Sequence, residues 1–588
     1  MLGGSMIFGA DALRTNLKWW QKAVFYQIYP RSFADGNGDG IGDFPGMIQK
    51  LDYLQDLGVD ALWLSPHFPS PQFDCGYDIS DYTAVAPEYG TLSDFKRFLH
   101  EAHRRGLRVV LDLVLNHTSD QHPWFIESRS SRDNPRRDWY VWHDGKQDKS
   151  GNQIPPNNWA STFGGDAWEY DQATQQYFYH FFLKQQPDLN WRNPAVRQAM
   201  WDAVRFWLDL GVDGFRLDAI ATIYEHPDLL NHPLKQTLAQ LRQMVRESST
   251  YEEQRRAKDL IEVMHRYQLR QPGLHELMQE LRTVVNEYGD TVLIGEEDTL
   301  KYYGDGDNEL HLVFNFPLMR TDWLTPAWIR ANQQKRLAGL AAISPLAWPC
   351  NTLGNHDSPR VYNQFGDGIH NEQHAQLSLA LMLTLRGTPF LYYGEEIGMT
   401  DLLLGDISQF RDLWGLWQYN AEIQEFGTPA GQALRVAAEF TRDKCRTPMQ
   451  WQNATNAGFC PADIQSWLPV NPNFAAGVNV QEQVDRRDSL FNFYRSLLRL
   501  RKNTPALIGG TYTSIHESAQ EYLAFIRATD SQKCLVVLNY SDRTQDFRLD
   551  FTNQSIQPIF SNHARRTVEP HQDQIRLAPF EILVSTIS

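Results

Sequence analysis

The stretch LSDFKRFLHEAHRRGLRVVLDLVLNH, residues 92–117, contains the alternation that decides the fold. In its first half, residues 92–106, apolar side chains recur at helical spacing, and the half ends at Gly106, a common residue at the end of a helix. Its second half, residues 107–115, is a continuous apolar and β-branched run, which is typical of a buried strand. The stretch therefore predicts one repeat of an α/β fold.

The same alternation recurs along most of the chain. The other strand-like runs are AVFYQIY (23–29), ALWLS (61–65), VDGFRLD (212–218), TVLIGEE (291–297), HLVFNF (311–316), NTLGNHD (351–357) and TPFLYYG (388–394). About eight strand–helix repeats predict a closed (β/α)8 TIM barrel of parallel strands. In such a barrel the chemistry takes place at the carboxyl ends of the strands.

Several segments break this rhythm. The one after the third strand is too long for a structureless loop, so it predicts a small inserted domain. Long helical patterns indicate further insertions at about 222–288 and 401–485, and short alternating runs from residue 511 onwards predict a C-terminal antiparallel β-sandwich. The predicted domains are the barrel (1–116 and 188–510), the inserted domain (117–187) and the C-terminal β domain (511–588).

Composition restricts the possible partners. The 588 residues carry 55 Lys and Arg against 71 Asp and Glu, a formal net charge of −16. This balance argues against nucleic-acid binding, which needs a basic face, and disfavours binding to an anionic membrane. It has no apolar run of about 18 residues, and residues 1–16 lack the pattern of a secretory signal. Five sparse cysteines without a C-x-x-C pair favour a reducing compartment, so we expect a cytoplasmic protein, of an oligomeric state that the sequence leaves open.

Three acidic residues lie at the ends of separate predicted strands: Asp218, Glu296 and Asp357. A barrel would bring them into one pocket, although they lie far apart along the chain. Converging carboxylates suit cleavage of a glycosidic bond, because one acid protonates the leaving oxygen and another carboxylate can act as nucleophile. A single Asp at a strand end is more often an ion-pair partner or a helix cap, but three together favour the catalytic interpretation.

Several ordered segments resemble the signature motifs of glycoside hydrolase family 13, the α-amylase superfamily. They are GYDISDY (76–82), LDLVLNH (111–117), QPDLNW (186–191), GFRLD (214–218), NHD (355–357), YYGEE (392–396) and RTPMQW (446–451). The match is greatest to the α-glucosidase and oligo-1,6-glucosidase branch. The resemblance implies a retaining exo-α-glucosidase that acts on small α-glucosides and releases glucose from their non-reducing ends.

The resemblance also implies the catalytic roles. Asp218 would be the nucleophile, and Arg216, two residues earlier on the same strand face, would keep its carboxylate ionised. Glu296 would be the general acid/base. Glu297 is a minor alternative, since strand alternation would point it away from Glu296.

Further side chains are implied to hold the glucose unit. Asp74 and Arg442 would close the far side of its subsite, which restricts cleavage to chain ends, and Arg446 is the alternative arginine. The Tyr77 ring would stack on the sugar. The other residues implied to hold the sugar are Asp357, which would also stabilise developing positive charge, His117 and His356.

The loop DGNGDGIGD, residues 35–43, has oxygen donors at the spacing of a calcium-binding loop. The candidate ligands, at loop positions 1, 3, 5, 7 and 9, are Asp35, Asn37, Asp39, the Ile41 carbonyl and Asp43. Position 12 is Gly46 instead of a glutamate, and a strand precedes the loop, so it is not an EF-hand sensor. The resemblance places a structural Ca²⁺ here, or Mg²⁺, and a Gly/Asp turn without metal is the other interpretation.

The residue after the implied nucleophile, Ala219, bears on linkage. In this branch Val there often accompanies α-1,6 cleavage and Thr α-1,4 cleavage, whereas Ala is similar to enzymes acting on maltose or sucrose and in trehalose synthesis. We therefore expect maltose-type oligosaccharides or sucrose as substrates, with transglycosylation open. The alternatives are a trehalose synthase or sucrose isomerase, an α-1,6-specific oligo-1,6-glucosidase, and a non-catalytic member. The Arg/Asp-rich loop of sucrose isomerases is not evident in FPLMRTDW (316–323).

Overall fold

The computed structural model describes residues 7–8, 17–321, 324–549, 554–563, 565–568 and 574–588. The last two residues of FPLMRTDW and most of the first 16 residues, where no signal segment is expected, lie outside this range. The account below concerns the described residues.

Eight parallel strands form a barrel and are numbered β1 to β8 in chain order. They are Phe25–Ile28 (β1), Ala61–Leu64 (β2), Arg108–Val114 (β3), Gly214–Asp218 (β4), Val292–Gly295 (β5), Leu312–Val313 (β6), Cys350–Thr352 (β7) and Thr388–Tyr392 (β8). β8 pairs with β1, and a parallel bridge between Phe314 and Cys350 joins the β6 and β7 edges. The predicted barrel is confirmed, and each strand overlaps one of the eight predicted runs.

Helices surround this barrel. Between β1 and β6 they are Phe44–Gln49, Leu51–Leu57, Leu92–Arg104, Pro194–Asp209 and Leu274–Asn286. From β6 onwards the main ones are Pro326–Ile343, Asn371–Thr384, Leu413–Gln424, Ala430–Phe440 and Leu490–Lys502. Between β5 and β6 there is only a 3-10 turn, Leu300–Tyr303, so the helical ring is irregular there.

Helix Leu92–Arg104 shows how the quoted stretch specifies its structure. Thr91 Oγ1 accepts a hydrogen bond from the Asp94 backbone N–H, and the Asp94 carboxylate accepts one from Thr91 N–H, which caps the first turn. The side chains that it buries all lie on one face: Phe95, Phe98, Leu99 and Ala102. Gly106, with φ +76°, then turns the chain into β3.

Two insertions lie above the carboxyl ends of the strands. The one after β3 contains a three-stranded antiparallel sheet, made of Trp142–His143, Gln176–Tyr179 and Trp168–Asp171. It has an aromatic core of its own, formed by Trp159, Trp168, Tyr177, Tyr179 and Phe181. The insertion after β4 contains helices Leu238–Glu247 and Tyr251–His265, and the turn that follows packs Tyr267 and Leu269 against this core.

The C-terminal region is a β-sandwich, as expected. Its larger sheet has six antiparallel strands, and a two-stranded ribbon, Gln545–Arg548 with Gln574–Leu577, packs on it through Phe547, Ile575 and Leu577. Ile7–Phe8 forms an edge strand of the larger sheet, although residues 1–116 were assigned to the barrel. Such pairing leaves no local pattern to read in so short a strand.

All five cysteines are free and buried. None of the described helices combines the length and the hydrophobicity needed to cross a bilayer.

Candidate active site

A pocket of about 390 Å³ opens at the carboxyl ends of the barrel strands. One wall comes from the segments after β2, β3 and β8, and the opposite wall from those after β4, β5 and β6. The predicted site residues that line it are Asp74, Tyr77, His117, Asp218, Glu296, Asp357 and Arg442. Two more, Arg216 and His356, are buried directly behind them.

Arg216 joins three carboxylates at the base of the pocket. Its Nη1 lies 2.8 Å from Asp112 Oδ1 and 2.6 Å from Asp218 Oδ1, and its Nη2 lies 2.9 Å from Glu296 Oε2. The arrangement follows from the strands: Arg216 and Asp218 are two residues apart on β4 and share a face, and the register pairs Arg216 with Asp112 of β3. A guanidinium with donors in several directions can orient all three acids at once.

Asp218 and Asp112 ionise less readily than free carboxyl groups, because they are buried and lie beside other acids. Burial raises the pKa of Asp218 well above its ordinary value, and Glu296 and Asp112 add to this while Arg216 opposes it. Burial also raises the pKa of Asp112 to about 6. Arg216 favours the ionised form of Asp218 against the effect of burial. The cluster places a potential nucleophile, Asp218, and a potential acid, Glu296, on one guanidinium, as a reaction with one acid and one nucleophilic carboxylate requires.

The two glutamates after β5 both line the pocket. β5 ends at Gly295, so strand alternation does not continue through these positions, and the two carboxylates have different partners: Arg216 for Glu296 and Arg270 for Glu297. Glu296 Oε2 contacts Arg216 and also accepts a hydrogen bond of 2.9 Å from the Ala219 backbone N–H. Glu296 thus lies beside the carboxyl end of β4, which carries Asp218.

The carboxylate of Glu297 accepts hydrogen bonds from Arg270 and from two backbone N–H groups. Arg270 Nε and Nη2 donate to its two carboxylate oxygens, each at 3.2 Å, and the backbone N–H groups of Asp298 and Thr299 donate to Oε1. Burial would raise the pKa of Glu297, but Arg270 and these hydrogen bonds outweigh it and hold the pKa below its ordinary value. A carboxylate held ionised is a poor proton donor, so the geometry favours Glu296 as the acid.

Tyr77 and His356 form a stacked pair, with ring centroids 5.4 Å apart and planes 5° from parallel. Gln27 Nε2 donates to His356 Nδ1 at 2.7 Å, so the ring proton sits on Nε2 and points to Tyr77 Oη at 2.5 Å. Tyr77 Oη in turn donates to Asp112 at 3.1 Å. Burial holds the pKa of His356 well below its ordinary value, so the imidazole is neutral. Tyr77 keeps an edge on the pocket, where its ring can meet a sugar.

Asp74 and Arg442 meet at one wall of the pocket, 368 positions apart in sequence, with Arg442 Nη2 2.7 Å from Asp74 Oδ1. Asp412 orients this arginine by accepting from Nη2 at 2.6 Å and from Nε at 3.1 Å. Gln186 Nε2 donates to the other oxygen of Asp74 and lies 3.0 Å from His117 Nε2. The wall is a connected set of buried polar groups.

The alternative arginine, Arg446, has a different position. It is fully buried behind the pocket, where Nε donates to the His356 carbonyl at 2.8 Å and Nη2 lies 2.5 Å from Asp357 Oδ1. Burial would raise the pKa of Asp357, but Arg446 and Arg442 outweigh it and hold the pKa below its ordinary value. Asp357 is therefore a permanent negative charge in the pocket.

Sequence reasoning did not single out Asp112, Gln186, Arg270 or Asp412. Asp112 and Gln186 lie within recognised motifs, and an acid inside the apolar run LDLVLNH is a visible signal of a buried partner. Arg270 and Asp412 lie in the insertions after β4 and β8, where no motif marks them.

The loop at residues 35–43 is organised by its own backbone. Asp35 accepts hydrogen bonds from Gly38 N–H at 2.6 Å and Gly40 N–H at 2.8 Å. Asp43 caps the helix Phe44–Gln49 by accepting from Gly46 N–H at 2.7 Å. These hydrogen bonds hold the carboxylates of Asp35 and Asp43 in place, and Asp43 also stabilises the first turn of the helix Phe44–Gln49.

The other candidate ligands lie at the outer part of this loop. Asn37 and Asp39 are exposed, and the Asp39 carboxylate accepts from the Ile41 N–H at 2.8 Å. Across the described residues, no group of three or more His, Cys, Asp and Glu side chains stands out as a metal site. The donor set of the loop differs from such a group, because it adds the Asn37 amide and the Ile41 backbone carbonyl to the carboxylates. Oxygen donors of this type suit Ca²⁺ or Mg²⁺.

Comparison with known proteins gives the family of this chain. Residues 27–510 match the family of alpha amylase catalytic domains. The chain is 40% identical over 585 residues to the oligo-1,6-glucosidase of Parageobacillus thermoglucosidasius, covering 97% of this chain and 99% of that protein. It is 38% identical to the alpha-glucosidase of Pediococcus pentosaceus, over 87% and 89% of the two chains.

Among solved structures, the trehalulose synthase MutB from Pseudomonas mesoacidophila MX-45 is similar, with a TM-score of 0.85 and 37% identity. The match covers 97% of this chain and 100% of that one. The protein is thus a glycoside hydrolase with a TIM-barrel catalytic domain. It belongs to the α-amylase family, glycoside hydrolase family 13.

Proposed function

We propose that this protein is a retaining exo-acting α-glucosidase that releases glucose from the non-reducing end of short α-glucosides. The observation that carries the proposal is the buried pair of Asp74 and Arg442, which stands at one wall of a pocket with Asp218 and Glu296 at its base. A wall at that position leaves space for one sugar unit beyond the bond to be cleaved. An open cleft would instead accommodate a chain on both sides.

In the first step Asp218 attacks the anomeric carbon while Glu296 protonates the leaving oxygen. The glycosidic bond breaks, the remainder of the substrate departs as an alcohol, and glucose stays as an ester of Asp218. Asp357, held ionised by its cationic neighbours, stabilises the positive charge that develops on the sugar ring.

In the second step Glu296, now a carboxylate, takes a proton from water, and the water oxygen attacks the anomeric carbon. The ester bond to Asp218 breaks and restores its carboxylate, and two inversions leave the α-configuration unchanged. Arg216 contacts both acids, so it can compensate charge as the proton and the ester move between them.

For the linkage, Ala219 supports maltose-type oligosaccharides or sucrose. The names of the similar oligo-1,6-glucosidases make α-1,6 cleavage the principal alternative, and the similar trehalulose synthase makes isomerisation the second. Transfer to a sugar acceptor follows the same two steps, with an acceptor hydroxyl in place of water.

The test is product analysis on maltose, isomaltose, sucrose, trehalose and maltotriose. We expect glucose to be released one unit at a time and to appear first as the α-anomer by NMR. A main product that is an isomeric disaccharide, with little free glucose, would establish the isomerase instead. Asp218→Asn should abolish turnover while the circular dichroism spectrum stays that of the wild type, and normal activity in this variant would refute the nucleophile.

We also propose that the loop at residues 35–43 binds a structural Ca²⁺, or Mg²⁺, through Asp35, Asn37, Asp39, Asp43 and the Ile41 carbonyl. The ion would tie down the loop after β1. It takes no part in the chemical steps above.

We propose a cytoplasmic location as well. Five free, buried cysteines support a reducing compartment. Cell fractionation with an antibody against the protein checks this, and recovery of the activity outside the cells would contradict it.

A further inference from the structure

Arg270 lies in the turn after helix Tyr251–His265, within the insertion that follows β4. Its backbone is in the left-handed region, with φ +56°, an uncommon conformation for a residue with a side chain. The conformation is fixed by a hydrogen bond of 2.7 Å from Arg270 N–H to the carbonyl of Ala221, in the loop after Asp218. The turn is thus attached to the loop that follows the proposed nucleophile.

The neighbouring insertion holds this turn from the other side. Gln268 Nε2 donates to the Ala160 carbonyl at 3.1 Å and to Tyr179 Oη at 3.0 Å, both in the insertion after β3. Tyr267 also packs against the aromatic core of that insertion. The position of Arg270 is therefore held by contacts of its turn with the loop after β4 and with the insertion after β3.

The side chain of Arg270 is directed to the pocket, which it lines, and is 40% exposed. Nε and Nη2 are engaged by the carboxylate of Glu297, at 3.2 Å each. Its third nitrogen, Nη1, has no hydrogen-bond partner among the residues that the structure describes. Glu297 thus orients a guanidinium that still has donors to offer to a ligand.

Arg270 stands on the wall opposite the pair of Asp74 and Arg442. That pair follows β2 and β8, whereas Arg270 follows β4 and its partner Glu297 follows β5. If the terminal glucose is held at the wall of Asp74, the rest of the substrate extends across the catalytic acids towards Arg270. The leaving group therefore occupies the space beside this arginine.

This wall is polar and carries both signs of charge. Glu262 and Asp298 line the pocket near Arg270, and Arg320 lies over the Phe316 ring at 4.1 Å. Such a surface offers several charged hydrogen-bond partners to hydroxyl groups, and its pocket-lining aromatic ring, Phe316, lies under the Arg320 guanidinium.

We infer that Arg270 binds the leaving-group sugar and selects substrates whose leaving group is a polyhydroxylated ring over those with an aryl group. The inference rests on the proposed α-glucosidase function and adds a specificity-determining residue to it. Glu297 is the positioning residue that holds Arg270 in place.

The experiment compares Arg270→Ala and Arg270→Lys with the wild type on three kinds of substrate. These are the disaccharides maltose, isomaltose and sucrose, the aryl substrate p-nitrophenyl α-glucoside, and α-glucosyl fluoride, which has no leaving-group ring. We expect Arg270→Ala to lower kcat/KM on the cleaved disaccharides by about 10- to 150-fold, the value of a lost charged hydrogen bond. The loss on glucosyl fluoride should stay within about threefold, and Arg270→Lys should recover part of the disaccharide activity.

Arg266→Ala is the matched control, since Arg266 is an exposed arginine in the same turn that does not line the pocket. It should behave as the wild type on all three kinds of substrate. An equal loss on disaccharides and glucosyl fluoride in Arg270→Ala would mean that Arg270 supports the catalytic acids instead, and would overturn this inference alone. A wild type inactive on every substrate, glucosyl fluoride included, would overturn the proposed function and this inference together.

Discussion

The ion pair of Asp74 and Arg442 provides the most direct test of the proposed glucose subsite. The test is a double-mutant cycle made of Asp74→Asn, Arg442→Lys and the double variant. The side chains of this pair are 6% and 9% exposed, and their closest N–O distance is 2.7 Å. Asp74→Asn keeps the shape of the wall but removes one negative charge, while Arg442 is still held by Asp412.

The contacts set the size of the expected effects. If Asp74 accepts a sugar hydroxyl, its neutralisation loses a charged hydrogen bond worth about 1.5–3 kcal/mol, or roughly 10- to 150-fold in kcat/KM. Arg442→Lys is more severe, because a single ammonium cannot bridge Asp74 and Asp412 as the guanidinium does. It leaves a buried carboxylate without a cation, which costs about 3–5 kcal/mol in stability. Because the two residues touch, their effects should fall short of additivity by about 1–3 kcal/mol.

The assay is kcat/KM on p-nitrophenyl α-glucoside, together with the products formed from maltotetraose. The wild type should form glucose and maltotriose in the first turnovers, and Arg442→Lys should add maltose as the wall loosens. Arg435→Lys is the control, since Arg435 is an exposed arginine on the helix Ala430–Phe440. Additive effects of the two variants, or unchanged kcat/KM in Asp74→Asn, would refute the argument that this pair grips the terminal glucose.

Three further predictions concern other groups. Glu296→Gln should lower the rate of hydrolysis at least about 10³-fold, and added azide should restore activity. Glu297→Gln should show no azide rescue, because the partner of Glu297 is Arg270. Azide rescue of Glu297→Gln would instead make Glu297 the acid. Burial raises the pKa of Glu395 to about 8 from 4.5, so the ionisation of this residue opposes folding. The free energy of unfolding of the wild type is therefore greatest below about pH 4.5 and falls between pH 4.5 and 8. At pH 7 it should be lower by about 3 kcal/mol. Glu395→Gln should therefore raise Tm at pH 7 and leave it unchanged at pH 4, and an equal gain at both values would contradict the cause. Ca²⁺ at 100 times its Kd should stabilise the protein by about 2.7 kcal/mol without changing kcat. Asp35→Asn should remove this stabilisation. A wild-type Tm that does not change when Ca²⁺ is added would refute the site.

Local pattern carried most of the prediction of the fold. A buried strand needs a short apolar run, and a surface helix needs an apolar stripe, so both leave a periodic record in the chain. The edge strand Ile7–Phe8 left no such record, because two residues are too few to show a period and its partner is some 500 positions away. The predicted domain boundaries remain predictions.

The candidate site divides in the same way. Asp218 and Arg216 were readable because both lie on one strand whose alternation gives their common face. The partner of Glu297 was not readable, since β5 ends two residues before it and Arg270, which it contacts, lies in a distant insertion.

The sequence by itself determined the barrel, the carboxylates at its strand ends and the family, because strand and helix periodicity and short motifs are local properties. Only the tertiary structure decided which cation meets which acid. Asp74 contacts Arg442 and not Arg446, and Glu297 contacts Arg270. These contacts are made through loops whose paths depend on packing between the insertions. The ionisation of the buried acids was decided there too, because a pKa depends on the burial and the charges that surround a group in space, and no order of residues along a chain records them.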